Sequence, residues 1–383
     1  MGMRLAYVTR YDPFDVKNAW SGTGYFILTT LRRCGFDVEP IGPLRYPLRP
    51  SVIGRRAFYR YLARQNYLWP ESPPIARGMA AEVARVLDSG RFDVVFAPDL
   101  VPVAYLEGDW PLVTWIDATF PNLLDFHPRY STTTIARVSV RDAMNLHSRA
   151  IARASACLFA SDWAAASAIE DFGADPDKVH VIPFGANLVG LPTKAEVDDD
   201  ISQRPRDRCS LLFVGVDWER KGGSTALEIA EALNRAGLPT KLTIVGRAPR
   251  IPERFAGFVE VRGYLDKQAG GMKELSSLYK RSHFLVHPAR VEAYGIVHCE
   301  ANAFGVPTLS TAIGGVPTVV RAGFSGMLFE PDAPPETYTA SILRLFDDYG
   351  TYVRLARLSR REFDKRLNWD VVGASLKSLL ESL

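Results

Sequence analysis

Along this 383-residue chain, short apolar runs alternate with longer segments in which apolar residues recur every three to four positions. The short runs predict buried β-strands, and the periodic segments predict helices packed on a sheet. Because strands that alternate with helices form parallel sheets, the pattern predicts two doubly wound α/β domains. The predicted strands are residues 5–9, 36–41, 94–97, 112–116, 157–160, 179–183, 211–215, 242–246, 259–261, 284–286 and 308–310.

Residues 189–207 interrupt this pattern with a polar, charged segment that shows no periodicity. We interpret the segment as a linker between an N-terminal domain, residues 1–188, and a C-terminal domain, residues 208–367. From Pro335 onward, the pattern predicts two helices that are broken near residues 368–370.

Composition narrows the functional classes without identifying one. Apolar residues make up 47% of the chain and charged residues 23%, as in ordinary soluble proteins. The formal net charge of +3 is too small to indicate nucleic acid binding. No apolar run approaches the roughly 18 residues of a membrane span, and the first strand begins too early for a signal peptide. The four cysteines show no metal-ligand spacing. The three aspartates at residues 198–200 could bind a metal ion, but no apolar strand leads into them, so a solvated linker is favoured. We therefore expect a cytoplasmic protein with reduced thiols and no metal site.

Residues 284–320 carry the densest candidate chemistry. An apolar run is followed by a polar loop with Glu292, by a helix that begins after Gly295 and contains Glu300, and by a second strand that leads into a glycine-rich loop. In parallel sheets, ligands bind at the carboxyl ends of the strands, where this polar loop is expected to lie.

Two carboxylates at such an edge suit a sugar nucleotide. Glu300 can accept hydrogen bonds from both ribose hydroxyls, and Glu292 can do the same for a hexose. Between them, the free N–H groups of Gly295, Ile296 and Val297 can face a diphosphate. Taken singly, each glutamate is also compatible with an exposed position that has no function.

The whole string resembles the E-x7-E signature of the family-4 retaining glycosyltransferases. Glu292 and Glu300 occupy its two glutamate positions, residues 295–296 its centre, and residues 314–317 its downstream Gly-Gly-Val-Pro loop. The resemblance implies the GT-B architecture, in which two Rossmann-like domains face each other across a cleft. It implies that the C-terminal domain binds the nucleotide sugar and the N-terminal domain binds the acceptor. It further implies that the last helix, about residues 368–383, packs back on the N-terminal domain, and that Glu292 orients the donor sugar during front-face attack.

Arg220 and Lys221 lie in the loop that follows the strand ending at Gly215. Positive charge there can stabilise the diphosphate as it leaves, although a solvated basic pair is the alternative. Relatives often place an arginine directly after the glycine, where this chain has Val216, so we expect Arg220 to supply the missing charge. These cations would make a metal ion unnecessary, and no cofactor is expected. The predicted donor contacts are Gly215, Gly263, Tyr264, Leu265, Gly295, Ile296, Val297 and Glu300.

The acceptor side offers weaker signals. A glycine-containing loop after the first strand is either a tight turn or the acceptor and phosphate loop that the resemblance places there. Asp117 follows the strand that ends at Ile116, where many relatives have the pair His-Asp. Asp117 can bond the sugar or accept the proton of the incoming hydroxyl, or it can cap the following turn. The residues of the glycine-containing loop are Ser21, Gly22, Thr23 and Gly24.

Residues 45–69 combine six arginines with interleaved aromatic residues and contain no acidic residue. They are predicted either to contact an anionic membrane at its inner surface or an anionic acceptor, or to form a lid helix whose arginines are simply solvated. The arginines are Arg45, Arg49, Arg55, Arg56, Arg60 and Arg64.

Taken together, the sequence predicts a metal-independent retaining glycosyltransferase that uses a UDP- or GDP-linked sugar and a glycan, lipid-linked or small-molecule acceptor. Two alternatives remain open. One is a sugar-nucleotide epimerase or a phosphorylase on the same fold, and the other is a non-catalytic protein that binds sugar nucleotides. No nucleic acid partner is expected.

Overall fold

The predicted alternation of strands and helices is confirmed in the computed structural model, which describes residues 2–17, 19–45 and 49–383. The chain divides into two units. The first unit comprises Met1–Ile182 and Gly373–Leu383, and the second unit comprises Pro183–Val372. Within the described ranges, each unit contains one six-stranded sheet.

The sheet of the first unit has the strand order β2-β1-β3-β4-β5-β6, and every neighbouring pair is parallel. Its strands are β1 (Arg4–Val8), β2 (Asp37–Ile41), β3 (Val94–Ala97), β4 (Leu112–Ile116), β5 (Ala156–Phe159) and β6 (Val179–Val181). Its helices are α1 (Thr23–Arg33), α2 (Pro50–Ala57), α3 (Pro73–Ser89), α4 (Phe120–Leu123), α5 (Arg137–Arg153) and α6 (Asp162–Phe172).

The sheet of the second unit has the order β12-β11-β10-β7-β8-β9 and is also parallel throughout. Its strands are β7 (Cys209–Gly215), β8 (Thr240–Gly246), β9 (Val259–Gly263), β10 (Phe284–His287), β11 (Thr308–Thr311) and β12 (Gly326–Phe329). The helices that follow the first unit in the chain are α7 (Lys194–Gln203), α8 (Gly223–Arg235), α9 (Met272–Lys280), α10 (Ile296–Ala303), α11 (Val316–Val319), α12 (Pro335–Asp347), α13 (Tyr349–Arg366) and α14 (Trp369–Leu380).

The central strands form the core of each unit. Phe96 and Trp115 in the first sheet, and Phe213 and Phe284 in the second, are fully buried. Burial of such a side chain contributes about 1.5–3 kcal/mol. Because both faces of these strands are covered by helices, their sequences are apolar runs rather than alternating patterns, which is why the sequence predicted them well.

The interpretation of residues 189–207 as an aperiodic linker differs from the structure. Residues 194–203 form helix α7 within the second unit, and the boundary between the units falls at residues 182–183 instead. Thr193 and Glu196 form a capping box at its start, and Val197 and Ile201, one turn apart, are buried. Only the narrow stripe formed by Val197 and Ile201 is apolar. The acidic residues around it hide the helical repeat of apolar positions, so the helix was not predicted from the sequence.

The tail also differs from the prediction of two helices, because three helices follow Pro335. The expected break near residues 368–370 is present, but a second break falls at Asp348, whose side chain accepts a hydrogen bond from Thr351 N and caps α13. No helix in the described part of the chain combines the length and apolar character needed to cross a bilayer.

In each sheet the strand order reverses once, between β1 and β3 and between β7 and β10. Chains leaving two such strands diverge and open a crevice at the carboxyl ends, which is where open α/β sheets bind ligands. The fold therefore places the loops after β7 and β10 side by side in the second unit, and the loops after β1 and β3 side by side in the first.

Candidate active site

The loops after β7 and β10 are bonded to each other at the strand-order reversal of the second unit. Arg290 N donates to Arg220 O at 2.8 Å, and Arg220 Nη1 donates to Val291 O at 3.0 Å. Gly222, at φ 76°, permits this approach, since a Cβ there would lie 1.9 Å from Pro288 O. The two loops thus form one rigid surface that carries both predicted cations and Glu292.

Lys221 and Glu292 form a buried ion pair in this surface. Lys221 Nζ donates to Glu292 Oε2, and the two side chains are only 12% and 8% exposed. Burial alone would raise the pKa of Glu292, but the charge of Lys221 and its hydrogen bond outweigh burial and lower that pKa. Burial also lowers the pKa of Lys221, against the opposing charge of Glu292. The carboxylate is therefore held ionised and oriented.

Arg220 lies beside this pair and is held by carboxylate and carbonyl oxygens. Its Nε donates to Asp217 Oδ2 at 3.1 Å, and its Nη1 is bonded to Val291 as described above. The guanidinium is therefore fixed in place next to Lys221, and two positive charges share the loop after β7.

Two buried histidines lie behind Glu292. His287 Nε2 is 4.0 Å from Glu292 Oε2, and the rings of His287 and His298 meet edge to face at 5.1 Å. Burial lowers the pKa of His298 to about 4 and that of His287 well below its ordinary value, so both rings are neutral at pH 7. Lys221 is therefore the cation that faces the Glu292 carboxylate most directly.

Helix α10 begins at this same surface. Gly295 precedes it at φ 86° without any side-chain cap, so the first N–H groups of the helix, including those of Ile296 and Val297, start here. A Cβ at position 295 would lie 2.5 Å from the His298 ring, so glycine is required for both its conformation and its size.

Glu300 lies in the second turn of α10 and is almost fully buried. Lys267 Nζ donates to its Oε1 at 3.0 Å, and Tyr279 OH donates to its Oε2 at 3.2 Å. Neither partner was predicted from the sequence. Lys267 comes shortly after the predicted segment 263–265, but only the pairing of β9 with β8 and β8 with β7 shows that it lies near α10.

The remaining predicted donor residues lie at the same edge of the sheet. Gly215 ends β7, and a Cβ there would lie 3.1 Å from the Cγ of Lys221. Gly263 ends β9 at φ 71°, and Tyr264 in the following loop is exposed. The structure therefore brings Glu292, Glu300 and both cations to one edge of one unit. The donor-binding and catalytic roles of these residues, and that of Leu265, stay predictions.

The predicted acceptor loop lies after β1 in the first unit and is shaped by backbone packing. Ser21 has a left-handed backbone at φ 54°, and Gly22, at φ 86°, would place a Cβ 2.3 Å from Val16 O. Thr23 begins α1, and Gly24 O accepts a hydrogen bond from Tyr7 OH at 2.8 Å. These contacts account for a tight turn, and an acceptor role stays a prediction.

Sequence reasoning missed an ion cluster at the strand-order reversal of the first unit. Arg10, after β1, contacts Asp99 Oδ2 at 2.6 Å and Glu71 Oε1 at 3.0 Å. Burial raises the pKa of Asp99, and Arg10 opposes that effect. The position of Asp99, two residues after the predicted strand 94–97, was the available signal. Asp117 is half-buried after β4, and Thr119 caps the helix α4 that follows. The role of Asp117 on the acceptor side stays a prediction.

No group of three or more His, Cys, Asp or Glu side chains in the described ranges is arranged to hold a metal ion.

Comparisons with known proteins match both units. Residues 195–362 match the family model described as Glycosyl transferases group 1, and residues 25–189 match the one described as Glycosyltransferase Family 4. D-inositol 3-phosphate glycosyltransferase 1 of Catenulispora acidiphila is 29% identical over 218 residues, which are 52% of this chain and 52% of that protein. D-inositol 3-phosphate glycosyltransferase of Thermomonospora curvata is 29% identical over 232 residues, 56% of this chain and 53% of that protein. The chain thus spans about half the length of these curated relatives.

Solved structures match along the whole chain. Sucrose-phosphate synthase from Thermosynechococcus elongatus has a TM-score of 0.70 at 15% identity, and the match covers 99% of this chain and 98% of that chain. Anabaena Alr3699/HepE in complex with UDP-glucose has a TM-score of 0.62 at 16% identity, with full coverage of both chains. At these identities the likeness shows the fold, which is that of two Rossmann-like domains in the GT-B class.

Proposed function

Because this chain belongs to the family-4 glycosyltransferases, we propose that it is a retaining enzyme that moves a sugar from a UDP- or GDP-linked donor to a hydroxyl acceptor without a metal ion. The observation that carries the proposal is the buried Lys221–Glu292 ion pair at the strand-order reversal of the second unit, beside the start of α10. Anchored charges of both signs at this edge suit a ligand that joins a neutral sugar to a diphosphate.

The donor is proposed to lie along α10. Glu300 accepts hydrogen bonds from the ribose, the N–H groups of residues 295–297 face the diphosphate, and Glu292 bonds the hexose hydroxyls. Base contacts come from the backbone of residues 263–265. Because backbone contacts leave no side-chain signature, the choice between UDP and GDP is open to a direct binding screen.

Transfer requires the anomeric carbon to exchange one oxygen for another. The acceptor hydroxyl oxygen forms the new bond to this carbon, the bond to the diphosphate breaks, and the hydroxyl proton passes to the leaving phosphate oxygen. Negative charge grows on that phosphate, and Lys221 and Arg220 stabilise it. A preorganised charge of this kind is worth about a hundredfold or more in turnover. Because the Glu292 carboxylate is paired with Lys221, its proposed role is to orient the sugar.

The test begins with the donor. A thermal-shift screen of UDP, GDP, ADP and dTDP identifies the base, because a ligand that binds only the folded protein raises its apparent stability. The matching nucleotide sugars are then incubated with candidate acceptors, including D-inositol 3-phosphate, and the products are identified by NMR. Transfer with retained anomeric configuration supports the proposal. An epimerised donor supports the epimerase alternative, and binding without turnover supports a non-catalytic protein.

Metal independence has its own test. Activity should persist in EDTA, because the cations that stabilise the diphosphate are side chains. Reversible loss of activity on chelation, with recovery on addition of magnesium, would contradict this part of the proposal.

We further propose that the basic, aromatic stretch of the first unit contacts an anionic membrane surface and so brings the enzyme to a lipid-linked acceptor. Residues 46–48 of this stretch lie outside the described residues. Beyond them, α2 continues into a π-helical turn over Phe58–Leu62. Val52 is buried, whereas four large apolar side chains are exposed by half or more, among arginines that are themselves exposed. The four are Ile53, Phe58, Tyr61 and Leu62.

A helix that exposes apolar side chains between cations fits the interface of an anionic bilayer, where each arginine contributes about 1 kcal/mol. The protein should therefore sediment with vesicles of anionic phospholipid, and less so as salt screens the attraction. Replacing Arg55, Arg56 and Arg60 with Gln should abolish sedimentation and leave nucleotide affinity intact. A matched control replaces three exposed arginines elsewhere on the first unit. Sedimentation that survives in the first variant, or that is absent in the unmodified protein, contradicts membrane contact. The control positions are Arg85, Arg137 and Arg141.

A further inference from the structure

The carboxylate of Glu300 is held from two sides by residues of two other elements. Lys267, in the loop after β9, donates to its Oε1 at 3.0 Å and also to Asn187 O at 3.1 Å. Tyr279, on α9, donates to its Oε2 at 3.2 Å. The side chains of Lys267 and Glu300 are 13% and 2% exposed.

Because Glu300 is buried, its two hydrogen-bond partners decide whether its charge can be tolerated there. A carboxylate removed from water is costly unless it is paired and hydrogen-bonded, and here one cation and one hydroxyl meet that requirement. Burial, with the neighbouring charge of Glu300, raises the pKa of Tyr279 well above its ordinary value, so the phenol stays protonated and keeps donating. The stacking of its ring on Phe304 at 5.6 Å fixes the direction of that hydroxyl.

Lys267 and Tyr279 leave part of the hydrogen-bonding capacity of the Glu300 carboxylate unused. Its two oxygens together offer about four lone-pair directions, and Lys267 and Tyr279 use one on each oxygen. One direction per oxygen remains, which matches two neighbouring hydroxyls that approach together. We infer that Lys267 and Tyr279 are positioning residues that set the plane of Glu300 for the vicinal diol of a ribose, and that they thereby determine the preference for ribonucleotides over deoxyribonucleotides. This inference rests on the ribose role proposed above for Glu300.

The test compares UDP and GDP with their 2′-deoxy counterparts by calorimetry. The unmodified protein should bind the ribonucleotide about tenfold or more tightly, since the deoxy form lacks one charge-assisted hydrogen bond. Lys267→Met should weaken ribonucleotide binding about tenfold and bring the preference toward one, while deoxynucleotide binding, which has only the 3′-hydroxyl contact with Glu300 to lose, weakens by a smaller factor. Tyr279→Phe should reduce the preference by a smaller factor. Lys267→Arg, which keeps a cation within reach, should restore part of it.

Lys273→Met is the matched control, because Lys273 is an exposed lysine on the neighbouring helix α9. It should leave both affinities unchanged. If Lys267→Met binds ribonucleotides as tightly as the unmodified protein, or more tightly, the lysine competes with ribose and the inference is overturned. Equal weakening toward ribo and deoxy forms also overturns it, since the lysine then acts only on stability or on the phosphates. If the unmodified protein and Glu300→Gln alike show no preference, the ribose role of Glu300 in the proposed function fails as well.

Discussion

At the scale of single residues, the cost of burying a charge is offset by a neighbouring charge of opposite sign. Lys221 and Glu292 are each buried, and each is acceptable only because the other is present. Lys221→Met should therefore lower the free energy of unfolding of the second unit by about 3–5 kcal/mol, because it leaves a carboxylate buried without a partner. Denaturant unfolding monitored by fluorescence and circular dichroism measures the loss.

The double variant Lys221→Met, Glu292→Leu should recover most of that stability, because no uncompensated charge remains. Lys241→Met serves as the comparison, since Lys241 pairs with Glu260 at the surface and its side chain is 61% exposed. Its loss should cost less than about 1 kcal/mol. Equal instability in the single and double variants would show that packing, rather than the buried charge, sets the cost.

Among the helices and strands, α10 is the one whose start depends most on a single backbone position, Gly295. Gly295→Ala would impose a left-handed conformation on alanine and press its Cβ against the His298 ring. We expect the start of α10 to shift and the affinity for a nucleoside diphosphate to fall about tenfold or more, while the much weaker binding of the nucleoside changes little. Calorimetry with UDP or GDP and the matching nucleoside measures both. Gly257→Ala, at an exposed position with no atom within 4 Å of the added Cβ, is the control.

The elements also show what the sequence could predict and what it could not. Strands β3 and β4 match their predicted bounds because each is an apolar run buried on both faces. Strand β12 was missed, since its four residues include a glycine and are only partly buried. The E-x7-E spacing identified Glu292 and Glu300 as candidate site residues. Their partners Lys267 and Tyr279 could not be found that way, because a contact between distant elements depends on strand order rather than on local pattern.

At the scale of the whole molecule, buried neutral histidines should make the protein sensitive to acid. Burial lowers the pKa of His147, His283 and His298 to about 4, and that of His287 well below its ordinary value. Unfolding returns each to about 6.5, so below that pH the unfolded state binds more protons and stability falls. Their contribution is fully present above about pH 6.5 and is lost as pH falls toward 4, by up to about 1.4 kcal/mol per pH unit for each histidine.

The loss should be uneven, because three of these histidines belong to the second unit and only His147 belongs to the first. Scanning calorimetry at pH 7, 6 and 5 should show the second unit losing stability more steeply. In a His147→Gln variant, the pH dependence of the first unit alone should become shallower. A stability that stays level between pH 6.5 and 5 would contradict this, because it would mean that the rings take up protons as readily in the folded protein as in the unfolded chain.

The first unit is discontinuous in the sequence, because Gly373–Leu383 rejoin it after the whole second unit. Leu376 and Leu380 are fully buried there, and Gly373 packs so closely that a Cβ would lie 2.8 Å from Cys34 Sγ. On the ribosome, residues 183–372 separate the two parts, which at about 5–20 residues per second means roughly ten to forty seconds. During that interval, the first unit leaves exposed the apolar surface that its last helix will later cover. We therefore expect the half of the nascent protein that is made first to depend more on chaperones than the half made after it.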